Sequence, residues 1–283
     1  MTRPAARALR LFLLLAAVAA PALPAAAQSC QPALQPPAIL VAGELSMAIN
    51  PTLPPQQFID EKGQLQGLNF ELGSEVARKL CLTPKFIRMD FPAMIPGLGA
   101  GRFDIINTGL FWTEERSKTM FLVPYALQAI SIVVMEKNPL GLKSIDDLAG
   151  RSVSVETNTY TERKTKELSD ALVAKGLKPI TIRGFNTATE SFSALKAGQV
   201  DAGMNLDETA IDLVRRGGVV RIANGLGGSQ ITFAFKSKPL AEAFAKALGE
   251  TKADGFYDKV FDKFGMTRLT EATFAIRGPG PAQ

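Results

Sequence analysis

The chain has 283 residues, of which 46% are hydrophobic, 21% charged and 7% aromatic, a globular composition that excludes a disordered, collagenous or wholly membrane-embedded protein. Histidine is absent, which removes Ser-His-Asp and Cys-His nucleophiles, HExxH zinc sites and a histidine general base in one step. Lys and Arg number 32 against 27 Asp and Glu, but three of the arginines sit in a leader, so 29 basic residues face 27 acidic ones after its removal and charge makes no case for nucleic acid.

The leader carries Arg3, Arg7 and Arg10 and no acid, then an apolar run of ten residues from Leu11 to Ala20, then Pro21, Pro24 and Ala25-Ala26-Ala27. This is the pattern of a secretory signal peptide over residues 1–27, cleaved after Ala27. The run falls short of the roughly 20 apolar residues a membrane span needs, and the prolines would break it. Lipoprotein processing at Cys30 would require small residues just before it and finds Gln28-Ser29. The expected product is a soluble periplasmic protein of 256 residues, long enough for one large domain or two lobes. Its two cysteines, Cys30 and Cys81, suit one disulfide in an oxidising compartment. They also suit a buried Cys81 at a helix end with Cys30 free near the N-terminus.

Short apolar runs at 45–49, 85–88, 104–107, 153–155, 180–182 and 219–222 read as buried strands. They alternate with helical stretches at 69–80, 159–175, 187–196, 208–216 and 239–253, several opened by Asn or Thr and closed by Gly. The alternation is βαβα, hence α/β. Leu98-Gly-Ala-Gly-Arg-Phe-Asp104 is echoed by Leu195-Lys-Ala-Gly-Gln-Val-Asp201, the same helix end, Gly turn and strand start in each half. Residues 124–135, rich in Ala, Ile and Val, read as a long strand leaving the first half, and 230–235 as a return crossing. Two such crossings imply two α/β lobes with a cleft between them, a favoured place for a small-molecule site. The boundaries expected are lobe 1 at 38–129 plus 225–268, lobe 2 at 130–224, and a disordered tail at 269–283 rich in Gly and Pro.

In this order the motifs resemble a known family. Leu45-Ser-Met-Ala-Ile-Asn-Pro-Thr-Leu-Pro-Pro55, Gly63-x-x-x-Gly67, Met94-Ile-Pro-Gly-Leu98, Ala100-Gly-Arg-Phe-Asp104, Thr113-Glu-Glu-Arg116 and the run from Lys252 to Phe264 are similar to the solute-binding proteins of amino-acid ABC importers, family 3. The resemblance spans about residues 40–268. It implies a type II periplasmic binding fold, a two-lobed clamshell with two hinge strands, and a monomeric receptor that is not an enzyme, needs no cofactor, and hands an amino acid or related small carboxylate to the membrane subunits of an ABC permease. Lobes of this kind are expected to close on the ligand.

The resemblance also assigns residues. Arg116 matches the arginine that pairs with the ligand carboxylate, which a planar guanidinium can grip with two parallel bonds. Asn158, Thr159 and Tyr160 match a turn that clasps the same carboxylate at a helix start, where free backbone N–H groups favour anions. Asp207 is the candidate acid for the ligand ammonium, but it falls one residue late, with Leu206 in the expected place. Either a bulge absorbs the shift, or Asn205 or Glu208 serves, or the ligand has no ammonium there. Phe91 matches an aromatic wall. Leu53, Gln56 and Phe111, which lies two after Gly109, depart from the family's residues and imply a different pocket, as does the single tryptophan, Trp112. Two rival readings keep the fold: an accessory or sensory partner of a periplasmic enzyme, and an enzyme similar to dehydratases of cyclohexadienyl acids, with Glu156 or Glu208 as general acid.

Overall fold

The computed structural model describes residues 30–271 and 273–281. The expected signal peptide and its cleavage site lie outside these residues. Among the described residues no helix is long and apolar enough to cross a membrane.

The chain forms β1 (Glu44–Ile49), β2 (Thr52–Leu53), β3 (Gln57–Ile59), β4 (Leu65–Gln66), α1 (Leu68–Lys79), β5 (Thr83–Arg88), α2 (Met94–Gly99), β6 (Ile105–Phe111), α3 (Glu114–Ser117) and β7 (Phe121–Met135). There follow β8 (Ser152–Glu156), α4 (Tyr160–Ala174), β9 (Thr181–Phe185), α5 (Ala188–Lys196), β10 (Ala202–Leu206), α6 (Asp207–Arg216) and β11 (Val219–Phe235), then α7 (Lys238–Ala253), α8 (Phe256–Phe264) and β12 (Thr267–Arg268). The main sheet runs β5-β1-β6-β11-β7-β10-β8-β9, with β12 paired to β7, and β2, β3 and β4 form a small separate sheet.

Strands β1 and β8 each lie parallel between two neighbours, and β1 is buried from Leu45 to Ile49. Both are covered on both faces, as parallel strands are, so the serines of β8, Ser-Val-Ser-Val-Glu, lie as deep as its valines beyond the first position. Strands β7 and β11 are antiparallel and paired along almost their whole length, with register shifts between Arg221 and Ala223, Ala223 and Leu226, and Leu226 and Ser229. The runs at 219–222 and 230–235, expected as separate strands, are therefore the two ends of one bulged strand. Gly225 and Gly227 take positive φ within it, a conformation that costs glycine little.

The core divides at the same place. Residues of β7 up to Ala126 and of β11 from Ile231 pack with Met47, Leu72, Val76, Phe244 and Tyr257, while Ile130, Ile132 and Val134 pack with Val153, Val155, Leu172 and Met204. Helices α3, α4, α5 and α7 start at Thr113, Thr159, Thr187 and Ser237, each hydroxyl accepting a first-turn N–H. Such caps satisfy donors that have no partner inside the helix.

The echoed motifs fold alike. Asp104 enters β6 and accepts hydrogen bonds from Ser46 N and Ser46 Oγ, at 2.9 and 2.5 Å, and from Leu40 N at 2.8 Å. Asp201 enters β10 and accepts from Ser152 N at 2.7 Å and Ser152 Oγ at 2.9 Å. Each aspartate clamps the start of the first parallel strand of its lobe.

Of the two alternatives open for the cysteines, the disulfide holds. Both cysteines are disulfide-bonded and neither is a free thiol. The segment expected to be disordered has contacts at 273–281: Arg277 N donates to Leu122 O and Gly280 N to Ser117 O, both at 2.8 Å, and Phe274 packs on Tyr257. Composition alone hid this, because the glycines that suggest coil also permit close approach. A Cβ on Gly278 or Gly280 would overlap Ser117 or the Phe121 ring.

Candidate functional site

In α/β sheets, ligand sites form beyond the carboxyl ends of the parallel strands. Here Asn50 follows β1, Thr108 and Gly109 lie near the end of β6, Glu156 ends β8, and Asn205 and Leu206 end β10. Apart from Asn50, these residues line a pocket with Leu53, Phe91, Phe111, Arg116, Thr159, Tyr160 and Met204. The lobes touch around it. Phe111 stacks on Tyr160 at 4.3 Å and 12°, and Asn50 Nδ2 donates to Glu156 Oε1 at 2.7 Å. The centre of a water-sized sphere reaches about 40 Å³ of the pocket, room for roughly two or three waters.

Arg116 is the cation of this pocket. Thr113 caps α3 and accepts from Arg116 N at 3.1 Å, which fixes where the side chain leaves the backbone. Its guanidinium donates to the carbonyls of Phe111 at 2.9 Å and Asn158 at 3.5 Å and lies 5.9 Å from the Phe91 ring centre. Burial lowers its pKa to about 10, with help from the nearby Arg163 charge, so it remains charged at neutral pH. A half-buried cation held only by carbonyls still lacks a full counter-charge.

Facing it is the start of α4. Thr159 Oγ1 accepts from Glu162 N at 3.2 Å and donates to Glu156 O at 2.6 Å. Asn158 has φ of 60°, and its N–H donates to Glu162 Oε2 at 2.8 Å, a variant of the capping box.

Of the nine expected residues, Leu53, Phe91, Gly109, Phe111, Arg116 and Thr159 line the pocket. Asn158 reaches it through its carbonyl, by way of Arg116. Gln56 lies buried behind Gly109 and donates to Tyr125 Oη at 3.3 Å. A Cβ on Gly109, whose φ is 73°, would overlap Gln56 Nε2, so this strand end favours glycine. Asp207 starts α6 and points elsewhere: it accepts from Ser131 Oγ at 2.5 Å and from Gly225 N at 3.1 Å, tying α6 to both crossing strands. Strand β10 pairs with β7 without interruption from Gly203 to Leu206, so no bulge shifts the register and Leu206 is the residue in the wall.

Glu156 is the carboxylate in the lining. Burial pushes it up to about 8, against the hydrogen bond from Asn50 and with Asp90 nearby. Asn205 also lines the pocket, 4% exposed, with Nδ2 unpartnered among the described residues. The sequence reading named both residues only as alternates, though each ends an expected strand, and that position is itself the signal. Glu208 is occupied, accepting from Gln128 Nε2 at 2.9 Å.

The family model of the bacterial extracellular solute-binding proteins, family 3, matches residues 45–267. The chain belongs to this family. It is 28% identical over 228 residues to a probable histidine-binding protein of Campylobacter jejuni, covering 78% of this chain and 85% of that one. Its fold matches an ancestral arginine-binding protein bound to arginine, with a TM-score of 0.71 and 32% identity over 78% of this chain and 98% of that one. An ancestral amino acid-binding protein described as a precursor of cyclohexadienyl dehydratase matches with a TM-score of 0.70 and 28% identity, over 78% and 95% of the two chains. The two-lobed α/β clamshell with two crossing strands is the fold of this solute-binding family.

Proposed function

We propose that the chain is a non-enzymatic periplasmic receptor that closes on an amino acid and presents it to an ABC permease, after export behind a signal peptide cleaved at Ala27. The observation that carries the reading is Arg116, half-buried in the cleft, held by two carbonyls and facing the capped start of α4. That arrangement suits a ligand carboxylate, which would supply the missing counter-charge. The lobes touch across the pocket at Phe111 and Tyr160 and at Asn50 and Glu156, so loading requires them to part, and the bulged stretch of β11 is where bending costs least.

The mature protein should be screened against the common amino acids by thermal shift and calorimetry. A ligand at 100 times its Kd should add about 2.7 kcal/mol. Arg116→Ala should cost on the order of 2 to 5 kcal/mol of binding while leaving the fold intact. Unchanged binding in that variant would place the carboxylate elsewhere. A soluble chain starting at Gln28 in the periplasmic fraction is the expected product of export, and a lipid on Cys30 would overturn it. A dehydratase reading is favoured only by the buried Glu156, and it requires turnover of a cyclohexadienyl acid by the purified protein.

A further inference from the structure

We propose that Glu156 receives the α-ammonium of the ligand whose carboxylate lies on Arg116, so that the pocket selects a zwitterion with an uncharged side chain. This rests on the receptor reading above and names the residue and ligand class it leaves open.

The lining carries one cation and one carboxylate, Arg116 from α3 in the first lobe and Glu156 from β8 in the second. The other acids near the end of β10 are committed: Asp207 to Ser131 and Gly225, Glu208 to Gln128. Leu206 occupies the wall where β10 ends. Glu156 Oε1 accepts from Asn50 Nδ2, which orients the carboxyl and leaves its remaining acceptor capacity for a donor in the pocket. A ligand with one carboxylate and one ammonium therefore matches the site charge for charge. The rest of the wall is apolar, as at Leu53, Phe91, Phe111, Met204 and Leu206, or neutral, as at Thr108, Thr159, Tyr160 and Thr161; it holds no counter-charge for a further ionised group, and burying such a group unpaired is costly. Asn205 Nδ2 adds a neutral donor, compatible with a side-chain amide or hydroxyl.

A proton linkage follows. Glu156 faces Asn50 from the end of β1, Asp90 beside Phe91, the N–H of Ala188 and the carboxylate of Glu190 on α5, and Arg116 across the pocket. Burial leaves it largely protonated at neutral pH. An ammonium at hydrogen-bond distance stabilises the ionised form, so binding releases up to one proton near pH 7, and affinity rises with pH towards 8.

The test uses calorimetry of the mature protein in two buffers of different ionisation enthalpy, with five probes: L-leucine, L-glutamine, L-arginine, L-glutamate and 2-hydroxyisocaproate. We expect leucine or glutamine to bind at least tenfold more tightly than either charged amino acid. The hydroxy acid, which lacks the ammonium, should bind at least tenfold more weakly than leucine. Proton release should approach one at pH 7 and vanish in Glu156→Gln, which should lose at least tenfold in affinity. Because glutamine keeps the size and the Asn50 contact, the variant should melt no lower than the parent at pH 7. Preference for arginine or glutamate overturns the assignment. So does binding that releases no proton and survives Glu156→Gln, and in that case loss of binding in Arg116→Ala still supports the receptor reading. If none of the five probes binds, the receptor reading itself falls and this assignment with it.

Discussion

The two lobes are built on one clamp and end in different chemistry. In the first, Ser46 near the start of β1 is held by Asp104; in the second, Ser152 at the start of β8 is held by Asp201. Four residues beyond each serine the chain reaches the cleft, at Asn50 in one lobe and Glu156 in the other, and these two side chains meet at 2.7 Å. Four residues beyond each aspartate lie Thr108 and Asn205. Thr108 is satisfied, accepting from Asn50 N and Gln57 Nε2, whereas Asn205 keeps a buried donor without a partner among the described residues. The amino ends of the strands thus carry stability and are alike, and the carboxyl ends carry recognition and have diverged. The first lobe adds the cation on α3, and the second supplies the carboxylate and the helix start.

Removing the clamps is the strongest way to test whether the lobes are equivalent. Asp104 is 7% exposed and accepts three hydrogen bonds, while Asp201 is half-buried and accepts two from Ser152. Stripping a charged acceptor from buried donors costs more than removing a solvated pair. Urea unfolding should show Asp104→Ala losing about 3 to 5 kcal/mol and Asp201→Ala about 1 to 3 kcal/mol. Neither change should alter the preference among ligands. Equal losses would mean that the Leu40 contact and the deeper burial are worth nothing, and an altered preference would mean that the amino ends shape the site.

The Asn50 and Glu156 pair gives the next largest effect, since only one member titrates. The folded value of about 8 lies above the usual 4.5, so between these limits the folded state holds a proton that the unfolded state has released. Whatever stability this confers is complete below pH 4.5 and is lost as pH rises through 8. Glu156→Gln should remove this slope and exceed the parent in stability at pH 8 by a few kcal/mol, on the order of 2 to 4. Denaturant melts of both proteins from pH 5 to 8.5 measure it. Parallel curves would show that Glu156 is already ionised in the folded protein.

Much of this was legible before any coordinates. The βα alternation, the two crossings and the echo at Asp104 and Asp201 follow from local patterns, because apolar runs, caps and Gly turns report on neighbours a few residues away. Arg116 was legible through the family resemblance that Thr113-Glu-Glu-Arg116 carries. Glu156 was harder, because a Ser-Val-Ser-Val-Glu run says that a strand ends and nothing of what faces its end. Asp207 shows the same limit: an acid next to an expected site is a fair candidate until Ser131 and Gly225, 76 and 18 residues away, take both its oxygens. The small β2-β3-β4 sheet was not legible because strands of two or three residues leave no periodicity to read.

The smallest expected effect separates the lobes in another way, since only the first is strapped by the C-terminal segment. The Arg277 guanidinium lies 4.0 Å from the Trp112 ring centre, Trp112 Nε1 donates to Arg277 O at 3.2 Å, and the Arg277 side chain also contacts Gln230 at the foot of the bulged stretch of β11. Trp112 follows β6 directly, one residue after the cleft-lining Phe111 and four before Arg116, so the strap bears on the lobe that carries Arg116. An exposed cation over an indole is worth about 0.5 to 1 kcal/mol. Arg277→Ala should therefore lower stability by about that amount and red-shift the fluorescence of the single tryptophan by uncovering its ring, with ligand affinity unchanged within about twofold, because the main-chain bond from Arg277 N to Leu122 O does not need the side chain. Arg277→Lys should recover part of the loss, as an ammonium keeps the charge but not the flat stacking surface. A change of tenfold or more in affinity would mean that the strap controls the crossing strands, and through Gln230 the closing of the lobes, instead of merely covering the first of them.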